Sequence, residues 1–306
     1  MINKNLNYIL LCLIFIIVSM IFLNKYMIHI NENFKNYKSS NYNVPHNIFF
    51  YWDNLENKSI IYYFIKHIKQ QFNNTQWKVF FITKSNVHKY VDSNFIQKFG
   101  KLNAVRFSDF LRLKLLYDYG GLWIDISTII INPSFVDKFR TKLMKYKCDV
   151  LLFEFKTHTK NKMFPYLENW FIMAPKHSVF IKDLYDYFEK SYDMGFYVFK
   201  KNILIHSGLD LSNTIKYGKS TYLMQHALIH YMLLKNRNKY NICIEDADQS
   251  MFKAQNHVSW NHAELIKYII NNQDWNNYYA IKLTGHSRKA INNSNRNNFI
   301  KLLNTI

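Results

Sequence analysis

The sequence predicts an α/β domain with a mostly parallel sheet, preceded by one N-terminal transmembrane helix. Three observations carry that expectation. After Pro45, short apolar runs alternate with helical stretches, the order that βαβ units require. Residues 8–23 (YILLCLIFIIVSMIFL) are nearly all apolar. And in a chain of 306 residues with only 7 glycines, Gly120 and Gly121 stand side by side, between a helix-like stretch and an apolar run that ends in Asp125.

The N-terminal segment comes first. No Asp, Glu, Lys, Arg or His lies between Lys4 and Lys25. At 1.5 Å rise per residue, residues 8–23 span roughly 24 Å, and Tyr26, Met27 and Ile28 lengthen the segment while Lys25 snorkels to the interface. A cleaved signal peptide is the competing reading, but no small-x-small cleavage site follows the apolar run. We therefore expect a membrane anchor over residues 1–28. Lys4 on one flank faces Lys25, Lys35 and Lys38 on the other, so charge leaves open whether the rest of the chain is lumenal or cytosolic. Residues 29–44 are polar and aperiodic and read as a tether, leaving residues 45–306 as the folded domain.

Composition bounds the domain. The apolar share is 49% and Tyr, Phe and Trp make up 18%, which excludes disorder and supports a sizeable core. The formal net charge of +19 raises nucleic acid as a partner. The lysines are scattered, however, with no basic stripe interleaved with aromatics, so an anionic small ligand is expected and nucleic acid is not. Cys12 lies in the apolar segment; Cys148 and Cys243 are free to pair, though nothing in their spacing requires it.

Along the domain, residues 47–52 (NIFFYW) and 77–83 (WKVFFIT) read as buried strands around a helix at 59–72. Further strands are expected at 122–125, 149–155 and 169–174, and helices at 179–192 and 221–234. On the helix expected at 108–119, Asp109 and Arg112 share one edge while Lys114 and Asp118 share the opposite one, with apolar side chains filling both arcs between. Such a helix is largely buried, and one polar edge faces either a site or only itself through an Asp109–Arg112 pair. Gly120 stands where a helix end favours a left-handed residue. Gly121 then lets the chain turn straight into a strand, delivering Asp125 to the carboxyl end, where open α/β sheets bind ligands.

The run Ser108-Asp109-Phe110-Leu111-Arg112, followed by Tyr119-Gly120-Gly121-Leu122-Trp123-Ile124-Asp125, resembles the signature S-D-x-x-R … G-G-x-[WY]-[IL]-D. That signature belongs to the DXD-type sugar-binding glycosyltransferases: capsular polysaccharide synthesis proteins, yeast mannosyltransferase-like enzymes and the large clostridial toxin glucosyltransferases. Val44-Pro45-His46-Asn47-Ile48-Phe49-Phe50-Tyr51-Trp52 resembles the opening strand of these proteins, Asn169-Trp170-Phe171-Ile172-Met173-Ala174 an inner one, and Lys282-Leu283-Thr284 the closing of the capsular group. The likeness runs in order from Pro45 to about His286.

The resemblance implies a GT-A-like nucleotide-sugar-binding fold and transfer of a sugar from a UDP- or GDP-linked donor to a glycan, glycoprotein or lipid acceptor, usually with retention. It assigns Asp125, Asp109 and Arg112 to catalysis, and Trp52, Gly120, Gly121, Asn169 and Arg288 to donor binding. It also implies a Mn²⁺ or Mg²⁺ ion on the diphosphate, with Asp125, Ser127 and His286 as ligands. Ser127 departs from the pattern, standing where many relatives carry a second aspartate; the capsular reading W-I-D-A-[ST] fits Trp123-Ile124-Asp125-Ile126-Ser127 instead. Lys289, His257 and His262 are further candidates near the site, and Glu154 and Glu168 are carboxylates near predicted strand ends. The alternative is a silent homologue serving as a membrane-anchored glycan-binding or partner protein.

Overall fold

Six strands form the central sheet of the chain. In the computed structural model, residues 42–55, 59–210, 221–272 and 274–306 are described. The expected anchor at residues 1–28 and most of the tether lie outside the described residues, among which no helix is long and apolar enough to cross a membrane. Val44–Ile306 forms a compact unit.

The unit begins with β1 (Asn47–Tyr51), α1 (Ile60–Phe72) and β2 (Lys78–Ile82), followed by α2 (Ser93–Phe99) and α3 (Ala104–Tyr119). Next come β3 (Gly121–Ile124), β4 (Thr128–Ile130), α4 (Ser134–Tyr146), β5 (Val150–Glu154), β6 (Leu167–Ala174), α5 (Val179–Asp193) and the single turn α6 (Phe196–Phe199). The chain closes with α7 (Met224–Asn236), β7 (Ile242–Asp246), α8 (Lys253–His257), α9 (His262–Asn271), β8 (Ala280–Lys282), α10 (Gly285–Lys289) and α11 (Arg296–Thr305). Strand order is β2-β1-β3-β6-β5-β7. The pairs β1–β2, β1–β3 and β5–β7 are parallel, while β6 runs antiparallel to β3 and β5. The expected mostly parallel α/β sheet is therefore present, with β6 as its one reversed strand.

α3 is buried along both apolar flanks. Asn103 caps it by accepting the Arg106 N–H at 3.0 Å, so it starts four residues before the expected position. Phe110, Leu111, Leu113, Leu115 and Leu116 are fully buried. Phe110 stacks on Phe99 of α2 at 3.9 Å between centroids and meets Phe188 of α5 at 4.4 Å. The Lys114–Asp118 edge faces outward, joined at 3.1 Å, and the Asp109–Arg112 edge points inward. Gly120 ends the helix with φ 65° and ψ 173°; φ is positive as expected, but ψ is extended rather than left-handed helical, a combination open almost only to glycine.

One feature was not anticipated and another is left open by the sequence. Strands β4 and β8, three residues each and too short to show alternation, pair antiparallel in a separate ribbon, with Thr128 opposite Lys282. Cys148, just before β5, forms a disulfide with Cys243 of β7.

Candidate functional site

The ribbon decides where the site forms. By pairing β8 with β4, it carries residues 282–289 under the loop that follows β3, and the Leu283 N–H donates to the Ser127 carbonyl at 2.9 Å. Trp52 follows β1, Asp125 follows β3, Phe155 follows β5, and Glu168 to Trp170 open the reversed strand β6, so all lie along one edge of the sheet. That edge borders a cavity of about 750 Å³, which Trp52, Asp109, Arg112, Asp125, Ser127, Asn169, Lys282, His286, Arg288 and Lys289 all line.

Asp125 is the hub. Its Oδ1 accepts from the Trp123 indole N–H at 3.2 Å and lies 3.7 Å from Arg112; its Oδ2 accepts from the Lys282 ammonium at 3.0 Å. Its backbone N–H is tied to the Trp170 carbonyl at 2.8 Å. Burial alone pushes the Asp125 carboxyl up, but Lys282 and Arg112 outweigh it and hold it below the usual carboxylate range. Arg112, 5% exposed, also pairs with Asp109 at 3.3 Å, donates to the Asn169 carbonyl at 2.7 Å and lies over the Trp123 ring at 5.1 Å. Asp109 has a second cation, Arg106 at 3.3 Å; burial nonetheless raises its carboxyl against the pull of both guanidiniums. The two readings of the α3 edge thus both hold: Asp109 and Arg112 pair with each other and face the cavity.

Lys282 is 6% exposed, and burial lowers its ammonium from the ordinary lysine value, with Arg288 adding to the effect and Asp125 opposing it. Besides Asp125 it donates to Ser127 Oγ at 2.9 Å and to the Leu283 carbonyl at 3.2 Å. Arg288 donates to the same Ser127 Oγ at 2.9 Å, and its guanidinium covers the Trp52 ring at 5.4 Å. Asn169 points its amide to Gln225, whose own amide holds the Asp109 carbonyl.

A divalent ion does not fit the donor set the resemblance implied for it. Asp125 and Ser127 both already bind the Lys282 ammonium, and Arg288 shares Ser127, so an added dication would face two fixed positive charges at close range. His286 is exposed, its ring stacked on His262 at 5.6 Å. No three His, Cys, Asp or Glu side chains gather as a metal cluster among the described residues.

Gly120 and Gly121, expected at the donor, do not line the cavity, because they stand at the start of β3 and the cavity lies past its end. Of the remaining candidates, His257, His262 and Glu154 do not line it either, whereas Glu168 does. Its carboxylate meets His226 Nε2 at 3.2 Å, and the buried Nδ1 of that ring has no partner among the described residues. Sequence reasoning missed Lys282 as a site residue, although the K-L-T likeness marked its position. It also missed the aromatic wall of Phe155, Tyr166, Phe252 and Trp260. No sequence signal shows that Ser259 and Trp260 both adopt positive φ, at 49° and 60°.

Fold and site together define an α/β protein with a cavity at the carboxyl edge of its sheet, lined by carboxylates and several cationic side chains. Residues 18–280 match the family described as capsular polysaccharide synthesis protein, and the chain belongs to that family. No curated protein matches the chain. Solved structures that resemble it include two glycosyltransferases. One is the galactosyltransferase LgtC in complex with donor and acceptor sugar analogs, at 10% identity over 85% of this chain and 96% of that one, TM-score 0.43. The other is the PaToxG glycosyltransferase, at 15% identity over 91% and 94%, TM-score 0.35.

Proposed function

We propose that the chain is a glycosyltransferase that takes a sugar from a nucleotide-sugar donor and places it on an acceptor hydroxyl. The observation that carries this reading is the arrangement around Asp125: an ionised carboxylate held by Arg112, Trp123 and Lys282, with the Arg288 guanidinium presented to the same cavity. Breaking the bond between the anomeric carbon and the nucleoside diphosphate leaves the electron pair on a diphosphate oxygen, and fixed cations stabilise that charge. The acceptor oxygen forms the new bond to the anomeric carbon, and its proton passes to the departing diphosphate. Trp52, with Arg288 on one face, supplies a platform for the base, and Asp109, Arg112 and Asn169 supply polar contacts for the donor sugar. Tilted and edge-on rings from Phe155, Phe252 and Trp260 suit a sugar acceptor, since pyranose C–H faces lie well on aromatic surfaces.

The test is hydrolysis and transfer by the full chain across a panel of UDP- and GDP-linked hexoses, beside Asp125→Ala. Turnover of one donor, at least 100-fold weaker in the variant, is the expected result, and the anomer formed reports whether transfer is retaining as the resemblance implies. No turnover and no nucleotide binding by folded protein would sink the reading in favour of a silent homologue.

A further inference from the structure

We propose that Lys282 and Arg288 together are the resident cation of the donor site, neutralising the departing diphosphate in the place where a divalent ion was expected. The inference rests on the glycosyltransferase reading and names the group that does its electrostatic work.

Three observations converge. Lys282 occupies a coordination position: its three ammonium protons meet a carboxylate oxygen, a hydroxyl and a carbonyl, oxygen donors of the kind a hard cation takes. An ammonium so enclosed is a fixed point charge and requires no reorganisation when charge develops nearby. Second, Ser127 makes the arrangement possible. An aspartate at 127 would compete with Asp125 for the ammonium, whereas the serine hydroxyl accepts from both Lys282 and Arg288 and donates to the Leu283 carbonyl at 2.9 Å, so both cations stay in one place. Third, the connected network of Arg106, Arg112, Lys282 and Arg288 with Asp109 and Asp125 carries four positive and two negative charges, a net of +2 and the charge of one divalent ion.

The two cations divide the work. Lys282 spends its donors on the protein and acts through charge. Arg288 spends one N–H on Ser127; its other N–H groups have no partner among the described residues, and it lines the cavity. Arg288 is therefore the group that bonds directly to phosphate oxygens, and its position over Trp52 sets it between the base platform and the Asp125 hub.

The experiment is calorimetric titration of the full chain with UDP and with GDP, in EDTA and in MnCl₂. Wild-type protein is expected to bind one of the two equally well, within about threefold, in both buffers. Lys282→Met removes the charge at similar length and is expected to weaken that binding about 10- to 100-fold in either buffer, the loss of one charged interaction, while Lys282→Arg recovers most of it. Should Lys282→Met fail to fold, Arg288→Gln, at a half-buried position on the cavity wall, is expected to show a similar loss. Binding by the wild type only when Mn²⁺ is present, or variants that bind within threefold of it, would overturn the proposal and leave the transferase reading standing. No binding of either nucleotide in either buffer would overturn both.

Discussion

Gly121 lies flat against the carbonyl of Asn47: a Cβ built on it would stand 2.4 Å from that oxygen. Its neighbour Gly120 is as tightly held, with a Cβ there 2.5 Å from the Lys176 backbone nitrogen. The pair is the joint between a buried helix and the strand that carries Asp125, and both obstacles are backbone, which cannot move aside as a flexible side chain would. Gly121→Ala also forces φ 113° on an L-residue. We expect a loss of roughly 2–5 kcal/mol, measured by chemical denaturation. A variant as stable as the wild type would show that the joint is looser than its geometry indicates.

Arg112→Lys tests whether the guanidinium is needed for its shape or only for its charge. Arg112 reaches Asp109, Asp125 and the Asn169 carbonyl from one planar head while lying over Trp123. An ammonium keeps the charge but cannot span the three partners. Turnover is expected to fall about 100-fold, mainly in kcat, with a stability loss of about 2–3 kcal/mol. Retention of kcat would reduce Arg112 to a counter-ion.

The aromatic wall is the part of the cavity assigned to acceptor. Trp260 holds a positive φ next to another at Ser259, strain that a bulky residue carries only where the surroundings impose it, and its indole N–H is fixed by Asn256 at 2.8 Å. Trp260→Ala is expected to raise the acceptor KM at least tenfold while donor hydrolysis stays within about twofold. A matching loss of donor hydrolysis would move the wall to the donor side.

Asp109, Arg112 and Asp125 could be placed at the cavity from the sequence, and the glycines as the joint before β3 though not at the donor, because helix spacing, a turn and a strand end follow from neighbours in the chain. Lys282 was not, because its meaning depends on pairing across 157 residues with Asp125 through a ribbon of two three-residue strands. The sequence shows a lysine in an apolar run, and only the fold shows that burial beside Asp125 makes it part of the site. For the same reason Ser127 read as a metal ligand in the place of a second aspartate, whereas the fold presents it as the hydroxyl that holds two cations together. The Cys148–Cys243 pairing stayed open in the sequence because it depends on β5 and β7 being neighbours, which no spacing rule conveys.

Stability is expected to decline on the acid side of neutrality. Burial, reinforced by His226, holds the His230 imidazole below its ordinary value of 6.5, against the Pro165 carbonyl and Asp210. The neutral ring already donates to Pro165 at 2.8 Å. With its folded pKa depressed, the unfolded chain binds the proton more readily, so this contribution is present above 6.5 and lost as pH falls below it. His46 and His67 are lowered by burial as well, and act in the same sense. Thermal melts should be level from pH 7 to 8 and fall between pH 6.5 and 5, with His230→Gln removing part of the slope. A melting point that rises on acidification would reverse the assignment.

The disulfide bears on where the domain works. Cys148 and Cys243 are 95 residues apart, and closing a loop of that length removes roughly 4–5 kcal/mol of unfolded-state freedom at most, with about 2–4 kcal/mol usually realised. Reduction, or Cys148→Ser with Cys243→Ser, is therefore expected to lower the melting point by about 5–15 °C. Such bonds are rare in the cytosol, where glutathione and thioredoxin keep thiols reduced. It therefore predicts that the domain works in an oxidising compartment, a question that the lysines flanking the apolar N-terminal segment leave open. Alkylation of protein taken directly from cells, before any reductant, decides it: both cysteines should be blocked, whereas two freely alkylated thiols would place the domain in the cytosol.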